Sequence, residues 1–326
     1  MISNFLGKLI KTTFCALLLM LFLPWQSYAN NQQTVLVLKS EDLRAYREPA
    51  RAFTDSLEGR SDLSVKVRNI ELNLERAREI LRGYKESPPD VIFALGAQAA
   101  VVAMETAPEV LEAEVPFVFS SVLEWEEYGF NTDNSIGIKA QVPIQTLFAQ
   151  SRMAIPELER LGLIYSPESE ARVNEAEEVG EEMGIEVLTR RVEEPAEVEE
   201  AVEYLINLET DAWWLPADPI VVTVDNFHHV REKAWGLNKP LIVYSESFVR
   251  AGGLVSVSIN YRTVGSQAAA IVSDILGGAD VSEMEMAEPV GTEFLGNSRV
   301  ASTIGLDLTD SARFMDRLLD EVEGVD

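Results

Sequence analysis

The chain has 326 residues, enough for about two globular domains. Hydrophobic residues make up 47% of it and charged residues 25%, the balance of an ordinary globular protein. The formal net charge of −27 argues against nucleic acid and anionic membrane surfaces as partners, because both would repel so acidic a protein.

The first 29 residues have the pattern of a secretory signal peptide. Lys8 and Lys11 precede an apolar run, and the small-residue site Ser27-Tyr28-Ala29 follows it, so we expect cleavage after Ala29 and a periplasmic protein. An uncleaved membrane anchor is the alternative, but the run has only about half of the roughly 20 apolar residues that a bilayer span needs. The single cysteine, Cys15, lies in this segment, so the mature chain is expected to lack disulfides and cysteine ligands.

Short apolar runs alternate with helical patterns along the rest of the chain. Four runs begin near Thr34, Leu63, Val91 and Val115, and four more near Leu161, Ile185, Ala212 and Leu241. The helical patterns between them span residues 43–57, 74–84, 97–104, 171–183, 195–208 and 222–235. This alternation predicts an α/β fold with parallel sheets, and two sets of four strands predict two similar Rossmann-like lobes.

A distinctive stretch spans residues 241–278. A buried strand is followed by a Gly252-Gly253 turn, by a second strand, and by a helix whose apolar stripe includes Val264 and Ala268 and which ends near Gly277. This stretch resembles the corresponding region of the periplasmic solute-binding proteins of ABC transporters, in the branch typified by tryptophan-binding lipoproteins. The resemblance implies the periplasmic binding protein type I fold, in which a multi-strand hinge joins the two lobes.

Other local matches extend the resemblance over most of the mature chain, in four places. They are Gly96-Ala97, Tyr165-Ser166-Pro167-Glu168, Pro216-Ala217-Asp218, and Asn297 at the start of a short helix. Two positions depart from the family. Ala97 stands where the family has threonine, and Leu123-Glu124-Trp125 stands where it has an Asp-Pro pair, which suggests an altered specificity.

The resemblance also implies how the chain is divided. Residues 1–29 form the leader, residues 30–139 and 259–288 form lobe 1, and residues 140–258 and 289–326 form lobe 2. Crossings between the lobes are expected near residues 134–143, 258–262 and 287–295.

Ligands of open α/β sheets bind at the carboxyl ends of the strands. The candidate ligand-binding residues there are Gly96, Ala97, Gln98, Ser120, Ser121, Tyr165, Ser166, Asp218, Tyr244 and Ser245. The helix start at residues 96–98 offers N–H donors for a carboxylate, and Asp218 offers a counter-charge for an ammonium group. With Tyr165, Tyr244 and Trp214 as apolar walls, these residues favour an amino-acid-like solute. Two alternatives remain open: a tight turn without ligand at Gly96, and a helix-capping role for Asp218.

The resemblance implies the solute-binding component of an ABC importer, a monomeric protein that captures a small molecule by hinge closure and delivers it to an inner-membrane permease. A periplasmic sensor that signals to a receptor is the first alternative, and a secreted α/β enzyme is the second. The sequence has no phosphate-binding or nucleophile motif. Adjacent His228 and His229 would point about 100° apart on a helix, so they cannot share a metal. We therefore expect no catalytic residue, metal site or cofactor.

Overall fold

The computed structural model describes residues 32–130 and 132–323 of the chain. The predicted leader of residues 1–29, its cleavage site and Cys15 lie outside the described residues. Among the described residues, no helix combines the length and the apolar character needed to cross a bilayer.

Five parallel strands form the first sheet, in the order β2-β1-β3-β4-β5. The strands are β1 (Gln33–Lys39), β2 (Leu63–Asn69), β3 (Val91–Leu95), β4 (Phe117–Ser120) and β5 (Ser135–Ile138). The helices between them are α1 (Arg44–Ser56), α2 (Leu74–Arg82), α3 (Ala97–Val101) and α4 (Ala107–Leu111), with a π-helical turn at Val102–Thr106 and a 3₁₀ turn at Trp125–Tyr128. We call this sheet and the helices packed on it the first lobe.

Seven strands form the second sheet, in the order β12-β11-β10-β9-β8-β6-β7. They are β6 (Arg160–Tyr165), β7 (Glu186–Arg191), β8 (Ala212–Leu215), β9 (Leu241–Val243), β10 (Val255–Ile259), β11 (Thr292–Asn297) and β12 (Arg317–Leu319). All neighbouring strands are parallel except β10 and β11. We call this sheet and its helices the second lobe, and the two sheets confirm the predicted two-lobed α/β fold.

The remaining helices complete the chain. They are α5 (Ile144–Ala154), α6 (Glu170–Met183), α7 (Val198–Ile206), α8 (Val224–Gly236), α9 (Glu246–Arg250), α10 (Tyr261–Leu276) and α11 (Ser298–Thr303). Short 3₁₀ turns lie at Pro167–Ser169, Pro195–Glu197, Val281–Glu283 and Ala312–Phe314. Side chains cap the starts of several of these helices, including the short helix that the sequence analysis expected to begin at Asn297. Asn260 accepts hydrogen bonds from the N–H groups of Arg262 and Thr263, and Asn297 accepts one from Val300.

The chain changes sheets at three places. It leaves the first sheet after β5, and it enters α10 directly from β10 of the second sheet. Helix α10 packs closely on α1 in the first lobe, since Gly265 faces the carbonyl oxygen of Pro49. Ala287 then bridges Ile138 of the first sheet, and β11 returns the chain to the second. The residue-level lobe boundaries predicted from the sequence remain a prediction.

Burial on both faces of the central strands accounts for their continuous apolar runs. All five residues of β3 are buried, and the ring of Phe93 lies 4.9 Å from that of Phe53 on α1. One local difference from the predicted pattern follows α3. The predicted helix over residues 97–104 continues through the π-helical turn into α4, where Pro108 stands in the first turn.

Candidate functional site

A cavity of about 380 Å³ lies between the two lobes, at the carboxyl ends of their parallel strands. The first lobe lines it with Leu43, Ala45, Tyr46, Ser121 and Leu123, and the second with Leu147, Ser169, Arg172, Trp214, Pro216, Ala217, Tyr244 and Ser245. The wall is completed by residues from two of the places where the chain changes sheets, 140–142 and 257–259 with Tyr261. A compound in the cavity would therefore touch both lobes and the connections between them.

Four of the twenty residues in the cavity wall are aromatic. Tyr46, Trp214, Tyr244 and Tyr261 all line the cavity. Phe148 lies edge-on to Trp214 at 6.4 Å, and Phe248 packs against Tyr244 at 4.9 Å between ring centroids. Burial raises the pKa of Tyr244 to about 12 and raises the pKa of Tyr46 and of Tyr261 as well. The phenol groups are thus neutral near pH 7 and can both donate and accept hydrogen bonds.

Arg172 contributes a positive charge to this wall, on a side chain that is 12% exposed. It belongs to the first turn of α6, and its guanidinium donates to the Glu175 carboxylate at 2.9 Å and to the carbonyl oxygen of Val142. Burial lowers the pKa of Arg172 even though the carboxylates of Glu175, Glu124 and Glu288 oppose that shift. A lowered pKa means that its neighbours compensate the desolvated charge incompletely. Because Arg172 also lines the cavity, its positive charge is placed to contact an anionic group there.

Three of the predicted site residues line the cavity: Ser121, Tyr244 and Ser245. Trp214, predicted as an apolar wall, does so too. Ser121 has a left-handed backbone, with φ of 60°, and its hydroxyl donates to the carbonyl oxygen of Ala45 at 3.0 Å. That bond joins the loop after β4 to the start of α1, so Ser121 shapes the first-lobe side of the cavity.

Asp218 and Ser166 are buried beside the cavity rather than on its wall. The Asp218 carboxylate accepts hydrogen bonds from the N–H and hydroxyl of Ser166, the hydroxyl of Ser169, and the N–H groups of Ile220 and Val221. It is 1% exposed, and these five donors occupy its oxygen atoms. The geometry matches the capping alternative more closely than the ammonium contact, although Asp218 caps a turn, since α8 begins later with Thr223 as its cap.

The helix start at Gly96 is covered by first-lobe side chains. The N–H of Ala99 donates to the hydroxyl of Ser40 at 3.0 Å, and a Cβ at Gly96 would meet the Tyr46 ring at 2.8 Å. Gly96, Ala97 and Gln98 do not line the cavity, whereas Tyr46 does. Ser120 is fully buried and donates to the carbonyl oxygen of Ile138 at 3.2 Å, between β4 and β5. The tight-turn alternative at Gly96 thus fits the observed contacts.

Tyr165 is half-buried at the end of β6 and lies outside the cavity wall. The lining residues that the sequence reasoning missed include Tyr46, Arg172 and Tyr261. One of them carried a signal. Arg172 places a positive charge in the first turn of α6, where the helix dipole disfavours it, so a second role for that charge was indicated. Within the residues that the structure describes, no three His, Cys, Asp or Glu side chains converge to hold a metal ion.

Comparisons with known proteins agree with this architecture. Residues 54–314 match the family model described as "ABC transporter substrate binding protein". No curated protein sequence matches the chain.

Solved structures similar to the chain include three binding proteins. The ligand-free, open structure of a substrate-binding protein with adhesive properties from Clostridium difficile has a TM-score of 0.74 and 18% identity, over 89% of this chain and 100% of that one. The ABC domain from Streptococcus pneumonia in complex with L-Trp has a TM-score of 0.61 and 18% identity, over 88% and 100%. A solute-binding protein from Bacillus halodurans with bound myo-inositol has a TM-score of 0.52 and 13% identity, over 86% of this chain and 99% of that one. At these identities the likeness shows the fold, and the family match covers most of the chain. The chain therefore belongs to the ABC transporter substrate-binding protein family, whose members are solute-binding proteins rather than enzymes.

Proposed function

We propose that this protein captures an amino acid, with an aromatic side chain preferred, in the cavity between its lobes and delivers it to an ABC permease in the inner membrane. The observation that carries the proposal is the guanidinium of Arg172, the one charged group among the described residues that line the cavity, in a wall that also holds four aromatic rings. Such a wall suits a solute with one anionic end and one flat apolar end.

The anionic end is the α-carboxylate of the solute, which Arg172 would hold through a charge-assisted hydrogen bond. No carboxylate stands among the described residues that line the cavity, so the ammonium group is assigned to neutral oxygen acceptors. Ser121, Gln141 and Ser245 line the same space and supply such atoms. This assignment replaces Asp218, whose oxygen atoms are occupied within the protein.

The apolar end packs against the four rings of the wall. Rings contributed by both lobes, Tyr46 from the first and Trp214 and Tyr244 from the second, would enclose an aromatic side chain from opposite sides. Because the solute then contacts both lobes at once, it stabilises their closed arrangement by its own binding energy. A permease that recognises that arrangement would receive loaded protein in preference to empty protein.

Isothermal titration calorimetry tests this proposal. A panel of L-tryptophan, L-tyrosine, L-phenylalanine and L-leucine is compared with myo-inositol and ribose, and we expect the aromatic amino acids to bind most tightly. The amide of the best ligand, which lacks the carboxylate charge, should bind the parent protein about 10- to 100-fold more weakly. In Arg172→Gln the amino acid and its amide should bind with equal affinity.

A matched control is Arg191→Gln, which removes a guanidinium that pairs with Glu170 at the start of the same helix but does not line the cavity. That variant should retain the preference for the acid. Arg172→Lys, which keeps the charge, serves if the glutamine variant is unstable. Failure of every amino acid to bind would show that the site takes a different solute, and an acid preference that survives in Arg172→Gln would show that Arg172 does not bind the carboxylate.

A further inference from the structure

Six charged side chains meet at one rim of the cavity, and we call them the Arg44 cluster: Arg44, Glu48, Glu246, Arg250, Glu293 and Arg317. Arg44 donates to Glu48 at 2.8 Å, to Glu246 at 2.6 Å and to Glu293 at 3.1 Å. Arg317 also contacts Glu246 at 2.5 Å and Glu293 at 3.3 Å, and Arg250 contacts Glu246 at 2.9 Å. Three guanidinium groups therefore share three carboxylates.

The cluster joins the two lobes through Arg44. Arg44 and Glu48 lie on α1 of the first lobe, whereas Glu246 and Glu293 belong to α9 and β11 of the second. The guanidinium of Arg44 also lies 5.7 Å from the ring centroid of Tyr261, the residue at which the chain enters α10. One side chain thus holds two carboxylates across the gap between the lobes.

The neighbours of these residues in the chain form the wall of the cavity. Leu43 and Ala45 flank Arg44 and line the cavity, and Ser245 precedes Glu246 and lines it as well. Movement that separates Arg44 from Glu246 would therefore pull the first-lobe wall away from the second-lobe wall. The contact and the cavity depend on the same arrangement of the lobes.

Breaking this contact leaves a partner for every charge. If Arg44 withdraws, it keeps Glu48 on its own helix, while Glu246 keeps Arg250 and Arg317, and Glu293 keeps Arg317. An isolated buried charge would make separation very costly, but none is created here. The Arg44 side chain is also 36% exposed, so dissolved salt can screen its contacts. Both features suit a contact that forms and breaks reversibly.

We propose that Arg44 is a latch between the lobes, whose contacts with Glu246 and Glu293 favour the arrangement that forms the cavity and whose strength falls as salt rises. The proposal rests on the proposed function in one respect, because a latch matters to transport only if the cavity binds the solute. Solute affinity then falls by the same factor as the population of the latched arrangement.

Spin labels on one exposed helix of each lobe measure this population without any solute. Cysteines replace Glu79 on α2 and Glu182 on α6, both exposed and both outside the cluster, in a Cys15→Ser background. Double electron–electron resonance then gives the distribution of distances between the two spin labels in 20 mM and in 1 M NaCl. In Arg44→Gln we expect the minor distance component to grow about two- to fivefold at low salt, which is the scale of a partly exposed ion-pair network.

The salt response separates the latch from a general loosening of the fold. The parent protein should shift toward the Arg44→Gln distribution at 1 M NaCl, whereas Arg44→Gln itself should change little. Arg51→Gln is the matched control, because Arg51 lies on the same helix and faces Asp55 on that helix instead of the second lobe. Its distribution should equal that of the parent at each salt concentration.

Glu246→Gln removes the contact with Arg44 from the side of the second lobe. This variant tests the latch if Arg44→Gln does not fold. Equal distributions for the parent and the folded variant would overturn the latch, and so would an equal shift in Arg51→Gln. Because no solute is present, such a result would leave the amino-acid proposal standing. Conversely, calorimetry could reject that proposal while the distance measurements still supported the latch.

Discussion

The carboxylate of Asp218 accepts a hydrogen bond of 2.7 Å from the backbone N–H of Ser166, and this bond joins the segments that follow β8 and β6. Each of those segments contributes to the wall of the cavity, through Ser169 on one side and through Pro216 and Ala217 on the other. Asp218 therefore fixes the position of the wall without facing the cavity. A change at Asp218 should alter the stability of the second lobe first.

Asp218→Ala should lower the free energy of unfolding by about 3 kcal/mol. The substitution leaves the buried hydroxyls of Ser166 and Ser169 and two turn N–H groups without their acceptor, and hydrogen bonds to charged groups are worth roughly 1.5–3 kcal/mol each before neighbours rearrange. Urea denaturation measures the loss. Asp225→Asn, at an exposed position in the first turn of α8, should change stability by less than about 1 kcal/mol. A loss for Asp218→Ala no larger than that of the control would contradict the anchoring role.

The sequence predicted the layout of the fold well because buried strands and helices have recognisable patterns of apolar residues. Strands covered on both faces are continuous apolar runs, and the helices between them show one apolar stripe, so the positions of β3 and β8 and of α6 and α10 follow from pattern alone. The last strand, β12, was missed. Two of its three residues are exposed and the third is half-buried, so it has no such pattern.

The candidate site was harder to predict because many distant segments build it. Whether a polar residue at a strand end faces the cavity or a neighbouring loop depends on contacts that sequence spacing does not encode. Asp218 and Ser121 both follow strands, yet Asp218 accepts a hydrogen bond from Ser166 while Ser121 lines the cavity. Arg172 and Tyr261 reach the cavity from helix starts, whereas the predicted candidates were sought at the carboxyl ends of strands.

The contact between α1 and α10 depends on Gly265. A Cβ at this position would lie 2.3 Å from the carbonyl oxygen of Pro49 and 2.9 Å from the N of Phe53, so Gly265→Ala must push the two helices apart. We expect a loss of about 1–3 kcal/mol in stability, the usual cost of overpacking. Gly236→Ala, at a helical position with no atom within 4 Å of the added Cβ, should be neutral or stabilising. Thermal melts of both variants check this, and equal melting temperatures would show that the helices are not in tight contact.

The stabilising effect of Glu246 should depend on pH. Hydrogen bonding by Arg317, joined by Arg250 and the charge of Arg44, lowers the pKa of Glu246 from its usual 4.5 to about 2. A carboxyl group whose pKa is lowered by folding stabilises the protein above its unfolded pKa and loses that effect as pH falls through the folded pKa. The parent should thus exceed Glu246→Gln in stability by about 1 kcal/mol at pH 6, a modest value because the group is partly exposed.

That difference should shrink between about pH 4.5 and pH 2, as measured by urea denaturation at several pH values. Glu209→Gln is the control, since the Glu209 side chain is 98% exposed and lies 3.8 Å from the guanidinium of Arg160. It should match the parent over the same range. A constant difference for Glu246→Gln across this range would mean that the charge of Glu246 is not what stabilises the cluster.

Salt should raise the melting temperature of the whole protein, even though it weakens the latch. The sequence carries 54 acidic residues against 27 basic ones, and removal of Lys8 and Lys11 with the leader would leave a net charge of −29. Repulsion among so many carboxylates destabilises the compact state, and the screening length falls from about 10 Å at 0.1 M to about 3 Å at 1 M salt. Exposed ion pairs are worth roughly 0–1 kcal/mol each, so their weakening is the smaller effect.

Scanning calorimetry from 20 mM to 1 M NaCl should therefore show a rising melting temperature, with sucrose of equal osmolality as the uncharged comparison. A flat or falling curve in NaCl would mean that the acidic surface repels itself too weakly to affect folding, and the ion pairs would then be the larger electrostatic contribution to stability.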